Sequence, residues 1–412
     1  MEYGCIGERL GHSFSKEIHN ALADYPYELC EVARGRLDEF ATERKFKAIN
    51  VTIPYKELIM PHLYYVDPHA KLIGAVNTVV NRDGLLFGYN TDFFGMTKLL
   101  EHAGVSVEGK KVVILGTGGT SKTAYAVTKA LGAKEVIRVS RTKKEDSVSY
   151  TELYESHTDA DVIINTTPVG MYPDCDGVSV NLDCFSRLSG VIDAIYNPLR
   201  TRIILEARER GIPAEGGLYM LVAQAVRASE IFLEVTYPEG EIERIYNSVM
   251  RNKESIVLIG MPALGKTTVG GILSELTGRA LIDTDAEIVR CEGKEIPEIF
   301  AERGEAGFRE TEAQAVRRAS EVGGRIIATG GGTILREDNV RRLKQNGRIY
   351  FIDRPPELLT PTEDRPLSGS KEAIEKRYKE RYPLYSAICD LRIDAECSPN
   401  EVAKAIQGDF YK

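Results

Sequence analysis

A lysine and a threonine close the glycine-rich segment Gly260-Met-Pro-Ala-Leu-Gly-Lys-Thr267, which follows an apolar run and precedes an amphipathic pattern. In that setting the spacing G-x-x-x-x-G-K-[ST] is typical of a loop that binds nucleotide phosphates. Backbone N–H groups would bind the phosphates, Lys266 would neutralise their charge, and the Thr267 hydroxyl would bind Mg²⁺. The segment therefore predicts an ATP site. The residues predicted to contact ATP are Gly260, Gly265, Lys266, Thr267 and Thr268.

A second glycine turn, Gly116-Thr-Gly-Gly119, also follows an apolar run and opens a helical pattern, which is typical of a dinucleotide site. Ser121 stands where the third glycine of G-x-G-x-x-G is expected. The next apolar run ends in the basic segment Ser140–Lys144, where an NAD enzyme usually carries a carboxylate. A basic residue there favours NADP, unless the segment is simply a solvated charged turn. The residues predicted to contact NADP are Gly116, Gly118, Gly119, Ser140, Arg141 and Thr142.

The elements that must position these turns are short β-branched runs that alternate with helical patterns. This alternation predicts α/β domains with parallel sheets, and each glycine turn opens a nucleotide fold of its own. The polar stretch Met250–Ser255 is the expected junction. The runs predicted to be strands are Ala48–Ile53, Lys111–Leu115, Glu135–Val139, Asp161–Asn165, Gly190–Ala194, Ser255–Ile259, Gly324–Ala328 and Arg348–Ile352.

Bulk properties narrow the class of protein. The 412 residues suggest two or three domains, and 43% hydrophobic with 28% charged residues is ordinary for a globular protein. A net charge of −8 argues against nucleic acid as a partner. Without a signal-like start or a membrane-length apolar run, we expect a cytoplasmic protein. The seven cysteines lack a C-x-x-C spacing, so reduced thiols are expected rather than a zinc site.

Motifs downstream of the ATP loop narrow the type of kinase. Their order and spacing resemble shikimate kinase over residues 254–412. They are Leu281-Ile-Asp-Thr-Asp285, Phe308-Arg-Glu-Thr-Glu312, Ala328-Thr-Gly-Gly-Gly332, Asp364-Arg-Pro-Leu367 and Arg381-Tyr-Pro-Leu-Tyr385.

The resemblance implies a role for each matching residue. Asp285 would hold the substrate hydroxyls and act as the base, and Asp283 would help place Mg²⁺. Arg309 and Arg381 would bind the shikimate carboxylate, for which a guanidinium fork is well suited. The residues implied to approach the ligand through their backbone are Gly331 and Gly332, and the one implied to close over the phosphates is Arg365.

Simpler roles remain open for these kinase residues. The two aspartates could cap a helix, Arg309 could form a surface ion pair, and Gly330–Gly332 could be a plain turn. At Ala263-Leu264 such loops usually carry small residues or a further glycine, and the bulky Leu264 leaves open a weakly active or regulatory kinase half.

The residues around the dinucleotide turn form a second ordered set, which resembles shikimate dehydrogenase over residues 1–250. Its motifs are Gly11-His-Ser-Phe-Ser-Lys16, Asn50-Val-Thr-Ile-Pro-Tyr-Lys56, Gly74-Ala-Val-Asn-Thr78, Gly88-Tyr-Asn-Thr-Asp92, Asn165-Thr-Thr-Pro-Val-Gly-Met171, Asp193-Ala-Ile-Tyr-Asn-Pro198 and Gly217-Leu-Tyr-Met-Leu-Val-Ala-Gln224.

By this resemblance Lys56 and Asp92 form the catalytic pair, since reducing a ketone with hydride requires a proton for the developing alkoxide. Without the surrounding motifs, Lys56 would be an ordinary exposed lysine and Asp92 a helix cap. The residues implied to bind the substrate are Ser13, Ser15, Asn50, Thr52, Asn77, Tyr196 and Gln224, of which the amides of Asn77 and Gln224 could instead be polar groups of the core. The residues implied to contact the cofactor besides the turn are Gly217 and Met220.

Together these expectations describe two enzymes fused end to end. Residues 1–90, with about 216–250, would form a substrate-binding α/β domain, residues 91–215 a Rossmann NADP domain, and residues 254–412 a P-loop kinase with a parallel sheet. The chain would reduce 3-dehydroshikimate with NADPH and phosphorylate shikimate with MgATP, as a monomer or homodimer without nucleic acid or membrane partners. The alternatives are a quinate/shikimate dehydrogenase, which often uses NAD, and a kinase for another small polyol such as gluconate.

Overall fold

The computed structural model describes residues 1–10, 14–142, 146–358 and 371–412. The chain divides into two compact units, Met1–Val249 and Met250–Lys412. All seven cysteines lie in the described residues, and each is a free thiol. No helix among the described residues has both the length and the apolar composition that crossing a membrane requires.

The first unit begins with a six-stranded sheet of order β2-β1-β3-β5-β6-β4. Its strands are β1 (Tyr3–Gly7), β2 (Tyr27–Glu31), β3 (Ala48–Val51), β4 (Tyr65–Val66), β5 (Thr78–Arg82) and β6 (Leu85–Tyr89). Its helices are α1 (Ser15–Leu22), α2 (Leu37–Glu43), α3 (Tyr55–Leu58) and α4 (Pro68–Ile73).

This sheet is mixed, whereas the alternation of strands and helices predicts parallel pairing. β5 pairs antiparallel with both β3 and β6. β5 and β6 pair antiparallel because a two-residue turn at Asp83-Gly84 joins them, and both turn residues have positive φ (50° and 83°), as a tight hairpin requires. The hairpin places the residues before β5 and after β6 side by side.

A second, five-stranded sheet completes the first unit, with order β11-β10-β9-β7-β8 and parallel pairing throughout its described strands. Its elements, in chain order, are α5 (Asp92–His102), β7 (Lys111–Leu115), α6 (Gly119–Ala130), β8 (Glu135–Val139), α7 (Tyr150–Ser156), β9 (Val162–Asn165), β10 (Gly190–Asp193), α8 (Arg202–Glu209), β11 (Ala214–Glu215), α9 (Leu218–Leu233) and α10 (Glu241–Lys253). Because α10 continues to Lys253, much of the stretch predicted as a polar junction is helical.

Alternating burial explains why β7 lies inside this sheet. Val112 and Ile114 pack into one apolar cluster with α5 and α9, and Val113 and Leu115 pack into another with α8. A strand that is covered on both faces reads as a continuous apolar run. The turn after β7 is therefore held at the carboxyl edge of the sheet, where ligands of such folds bind.

The second unit is built on a parallel sheet of order β13-β14-β12-β15-β16. Its elements, in chain order, are β12 (Ser255–Ile259), α11 (Lys266–Thr277), β13 (Leu281–Asp283), α12 (Thr284–Glu292), α13 (Ile296–Ser320), β14 (Ile326–Ala328), α14 (Glu337–Asn346), β15 (Gly347–Asp353), α15 (Lys371–Ile388), β16 (Leu391–Asp394) and α16 (Pro399–Phe410). α13 is interrupted at Gly304, whose φ of 66° is not helical.

Candidate functional site

In the first unit, Lys56 and Asp92 meet in a cleft between the two sheets. The Nζ of Lys56, on α3, lies 2.6 Å from Oδ2 of Asp92, the first residue of α5. Their side chains are 23% and 12% exposed, so the ion pair is partly shielded but open to a ligand. Asp92 is the first helical residue rather than the cap, which is Thr91, and the N–H of Phe93 donates to Asn90 Oδ1. The Asp92 carboxylate therefore pairs with the Lys56 ammonium and does not cap the helix.

A buried amide network forms one wall of the cleft. The side chain of Asn77 accepts the N–H of Thr91 at 2.8 Å through Oδ1 and donates to its hydroxyl at 3.0 Å through Nδ2. The Thr91 hydroxyl also lies 3.3 Å from Oε1 of Gln224, on α9. The hairpin brings Asn77 and Thr91 together, and Thr91 then links Asn77 to Gln224. Both amides still line the cleft.

Asn50 also lines the cleft, but its polar atoms face the protein interior. Its Oδ1 accepts the hydroxyl of Tyr27 at 2.7 Å, and its Nδ2 lies 3.3 Å from both Asn77 O and Thr78 Oγ1. These contacts support the strand more directly than they could bind a substrate.

The remaining cleft residues come from several elements. Among those predicted from the sequence, Ser15, Thr52, Tyr196, Gly217 and Met220 line it. Burial raises the pKa of Tyr196, so its hydroxyl remains a donor at neutral pH. Ser13 lies outside the described residues. Five further residues line the cleft without having been predicted as site residues, which are Cys5, Val51, Thr120, Ala194 and Leu221.

The dinucleotide turn adjoins this cleft, because Thr120, the residue directly after the turn, lines the cleft. Gly116 has a φ of 108°, and a methyl group added there would lie 2.8 Å from Oγ1 of Thr166. Ser121, at the place of the third glycine, closes the turn by donating to Gly116 O at 2.6 Å. A methyl group at Gly118 or Gly119 would meet only open space. This open face at the N-terminus of α6 fits the pyrophosphate of a dinucleotide.

Arg141 follows β8, at the position where a dinucleotide-binding fold contacts the adenine ribose of its cofactor. Ser140 is fixed by its N–H, which donates to Val148 O at 2.9 Å, while Arg141 and Thr142 are exposed. Arg141 forms no ion pair within the described part of the chain. An exposed guanidinium at this position fits a 2′-phosphate and does not fit a bare ribose hydroxyl as well as a carboxylate would.

A fully buried carboxylate, Asp193, links the cleft wall to the end of β9. It accepts hydrogen bonds from Asn165 Nδ2 (3.0 Å), Ile195 N (3.0 Å) and Thr201 Oγ1 (2.6 Å). No charged side chain of the described residues pairs with it, and burial raises the pKa of its carboxyl to about 6. The chain between Ala194 and Tyr196 is thereby fixed against the cleft. Gly217 packs on Ala194 O so closely that it has no room for a side chain.

In the second unit, the ATP loop has the backbone of a phosphate-binding turn. Gly260 and Gly265 have φ values of 146° and 75°, and α11 begins at Lys266. The buried Lys266 ammonium donates to the carbonyls of Gly260 (3.0 Å) and Met261 (2.8 Å). Thr268 follows in the first turn of α11.

Thr267 and Asp283 form the pair expected to place Mg²⁺. The Thr267 hydroxyl donates to Oδ2 of Asp283, whose Oδ1 caps α12 by accepting the N–H groups of Asp285 and Ala286. Asp283 is therefore a helix cap, as the simpler interpretation held, and it also contacts Thr267. A hydroxyl beside a carboxylate is a donor set that suits Mg²⁺, which usually retains several waters.

The departure at Ala263-Leu264 has a structural explanation. Ala263 adopts a φ of 64°, which glycine takes more easily. Leu264 is 6% exposed and packs with Met261 and Ile259 in the core of the second unit. Its side chain therefore supports the loop from beneath and leaves the phosphate face free.

The glycine residues Gly330–Gly332, here called the triple-glycine turn, contact the predicted substrate residues. A methyl group at Gly330 would lie 2.6 Å from Oδ1 of Asp285, and one at Gly332 would collide with the guanidinium of Arg309. Arg309 is held by the buried Glu312, at 2.8 Å, which in turn accepts the Thr333 hydroxyl at 3.1 Å. Desolvation raises the pKa of Glu312, and Arg309 opposes this rise.

The second predicted arginine reaches the same turn from α15. Nη1 of Arg381 donates to Gly331 O at 2.9 Å, and the side chain is 8% exposed. We call Arg309 and Arg381 the arginine pair. Both arginines contact neighbouring glycines of one turn, and Asp285 contacts the third. Arg365 lies outside the described residues.

Comparison with known proteins gives two matches along the chain. A family model described as the shikimate dehydrogenase substrate binding domain matches residues 5–79, and one described as shikimate kinase matches residues 262–409. A shikimate dehydrogenase (NADP(+)) of Clostridium perfringens (strain 13 / Type A) is 37% identical over 265 residues, which are 60% of this chain and 97% of the relative.

Solved structures agree with this match. Shikimate dehydrogenase 1 from Peptoclostridium difficile has a TM-score of 0.56 at 35% identity, over 60% of this chain and 98% of that one. A chorismate mutase/shikimate 5-dehydrogenase fusion protein from Clostridium acetobutylicum has a TM-score of 0.57 at 36% identity, over 60% and 96%. Shikimate 5-dehydrogenase from Thermus thermophilus, in complex with NADP(H) and shikimate, has a TM-score of 0.54 at 27% identity, over 60% and 99%.

Proposed function

We propose that this one polypeptide catalyses two successive reactions on the same ring acid. The chain belongs to the shikimate dehydrogenase family, and a shikimate kinase domain follows the dehydrogenase part. It is an oxidoreductase and a kinase of the shikimate pathway, and its cofactors are NADP(H), ATP and Mg²⁺. The first proposed reaction reduces 3-dehydroshikimate to shikimate with NADPH. The second phosphorylates shikimate at its 3-hydroxyl with MgATP. We assign residues 1–90 and about 216–250 to substrate binding, 91–215 to NADP(H) and 254–412 to the kinase.

The Lys56–Asp92 pair is the observation that carries the first reaction. NADPH supplies a hydride when bound, and the carbonyl oxygen that becomes an alkoxide then needs a proton. Lys56, 2.6 Å from Asp92, is an ammonium donor that a carboxylate keeps oriented in a partly shielded cleft. Asn77 and Gln224 line the same cleft and would bind the ring hydroxyls, while Ser15 and Thr52, with Ser13, would bind the carboxylate.

Arg141 supports NADPH over NADH as the hydride donor, because it is an exposed guanidinium beside the predicted ribose. The second candidate for this half is a quinate/shikimate dehydrogenase using NAD. A shikimate 5-dehydrogenase from Listeria monocytogenes has been crystallised with shikimate and NAD, at 29% identity and a TM-score of 0.53. Comparing the oxidation of NADPH and NADH with 3-dehydroshikimate decides between them, since faster turnover with NADH would contradict the NADP assignment.

For the second reaction, the triple-glycine turn brings the arginine pair and Asp285 together. The arginine pair suits a carboxylate, and Asp285 would accept the proton of the attacking hydroxyl. Lys266 would bind the phosphates, Thr267 and Asp283 would hold Mg²⁺, and Arg365 would close over them. The runner-up substrate class, a polyol acid such as gluconate, lacks the rigid ring and serves as the comparison substrate in the assay.

One coupled assay tests both assignments. The chain is supplied with 3-dehydroshikimate, NADPH and MgATP, and NADPH oxidation and ADP release are recorded separately. Lys56→Ala should abolish the first signal while ADP release from added shikimate persists, and Asp285→Asn should do the reverse. Each variant is thus the folded control for the other. NADPH oxidation that survives Lys56→Ala, or ADP release that survives Asp285→Asn, would show that the assigned roles are wrong.

A further inference from the structure

We propose that Tyr385 is a positioning residue of the kinase site, whose hydroxyl fixes the triple-glycine turn so that Arg381 can bind the substrate carboxylate. The inference rests on the proposed function of Arg381. Tyr385 lies one helical turn after Arg381 on α15, and both side chains reach the same backbone atom. The Tyr385 hydroxyl donates to Gly331 O at 2.6 Å, beside the Arg381 bond of 2.9 Å.

These two bonds use the full capacity of one carbonyl. A carbonyl oxygen has two lone pairs, so Gly331 O can accept both donors at once, and losing one of them leaves the turn held by a single bond. On its other side Gly331 is pressed against the ATP loop, since a methyl group there would lie 2.7 Å from Cδ of Pro262. The glycine thus lies between the ATP loop and α15, and its carbonyl sets where the Arg381 guanidinium rests.

Tyr385 is well suited to a fixed role of this kind. Its side chain is 1% exposed, and its ring stacks on Phe351 of β15 with centroids 5.0 Å apart. Burial raises the pKa of its hydroxyl to about 12, so it donates throughout the neutral range. Without that hydroxyl, Arg381 would be the remaining donor to Gly331 O among the described residues, so the turn that sets the position of its guanidinium would be held less firmly.

The test compares two Tyr→Phe variants of the whole chain. Tyr385→Phe should raise the KM for shikimate, and its Kd measured by calorimetry, by about three- to tenfold, while the KM for MgATP changes less than about twofold. Tyr378→Phe is the matched control, because Tyr378 is on the same helix and its hydroxyl donates to Asp353 at 3.0 Å, away from the triple-glycine turn. Equal effects of the two variants on shikimate would overturn the proposal.

A double-mutant cycle with Arg381→Lys separates positioning from general support of the fold. If Tyr385 acts through Arg381, adding Tyr385→Phe to Arg381→Lys should weaken shikimate binding little further. Fully additive losses would contradict the proposal. Failure of the proposed function has a different signature, since the unmodified chain would then neither bind nor phosphorylate shikimate.

Discussion

The ammonium of Lys56 lies 2.6 Å from the carboxylate of Asp92, although 35 residues separate them in the chain. The substitution Asp92→Asn keeps the shape of the side chain and removes the negative charge that orients the Lys56 ammonium. We expect the kcat for NADPH oxidation to fall by about 10²- to 10⁴-fold, the usual contribution of positioned acid–base groups, with kinase activity unchanged.

The control for this variant is Glu57→Gln. Glu57 neighbours Lys56 in sequence, but its carboxylate is exposed and pairs with Lys122 at 2.7 Å. It should retain dehydrogenase activity within about twofold, as expected for the loss of a surface ion pair. If dehydrogenase activity fell by a similar factor in both variants, the effect of Asp92→Asn would reflect the loss of any nearby negative charge and not a specific role of Asp92.

Arg141→Gln should reverse or erase the preference for NADPH. Losing one charge-assisted hydrogen bond to a phosphate should lower kcat/KM with NADPH by about 10- to 100-fold, with little change for NADH. Arg138→Gln is the matched control on β8, since Arg138 pairs with Asp146 and lies over Tyr125. Unchanged NADPH kinetics in Arg141→Gln would show that the basic turn is only a solvated surface.

Ala263→Gly should stabilise the second unit. At a φ of 64° an alanine is strained by about 1 kcal/mol, whereas glycine is not. We expect an increase of up to about 1 kcal/mol in the free energy of unfolding, measured by urea denaturation and circular dichroism. Ala301→Gly, in the exposed helical part of α13, should instead destabilise by about 1 kcal/mol. If both variants changed the free energy of unfolding in the same direction, the proposed strain at Ala263 would be contradicted.

The contribution of Asp193 to the stability of the first unit should decrease as the pH rises from 4 to 6. Burial raises the pKa of Asp193 from 3.8 to about 6, so the folded state binds its proton more tightly than the unfolded chain does. The stabilisation is therefore complete below pH 4 and lost as pH rises through 6, by about 3 kcal/mol.

Urea unfolding of the chain and of Asp193→Asn at several pH values measures this difference. The Asn variant should lack the slope, whereas Asp183→Asn, at an exposed carboxylate, should retain it. Parallel curves for the unmodified chain and Asp193→Asn would contradict the assignment.

The central strands of both parallel sheets were predictable because they are buried on both faces and form unbroken apolar runs. The edge strands β11 and β16 were not predicted, because they are short and only partly buried. β7, β8 and β12 have the bounds that their residues predict. The β5–β6 hairpin was missed, although Asp83-Gly84 between alternating residues is a recognisable signal for it.

The candidate site also contains residues that the sequence predicts and residues that it does not. Lys56 and Asp92, or Arg309 and Arg381, belong to motifs whose residue types reveal their chemistry. Cys5 and Leu221 line the cleft only because their strand and helix pass beside it, and no side-chain pattern marks that proximity. The inward orientation of Asn50 depends on Tyr27, a partner that only the folded sheet supplies.

The triple-glycine turn gives the kinase half a way to lose activity that leaves its charged groups intact. A single added methyl group would meet Asp285 at Gly330, Pro262 at Gly331 or Arg309 at Gly332. Three alanine variants would thus disturb the base, the ATP loop and the arginine separately. A survey of related sequences that counts only conserved lysines, arginines and aspartates would therefore overlook inactive copies, and the glycines are the more sensitive record of whether selection still maintains phosphorylation.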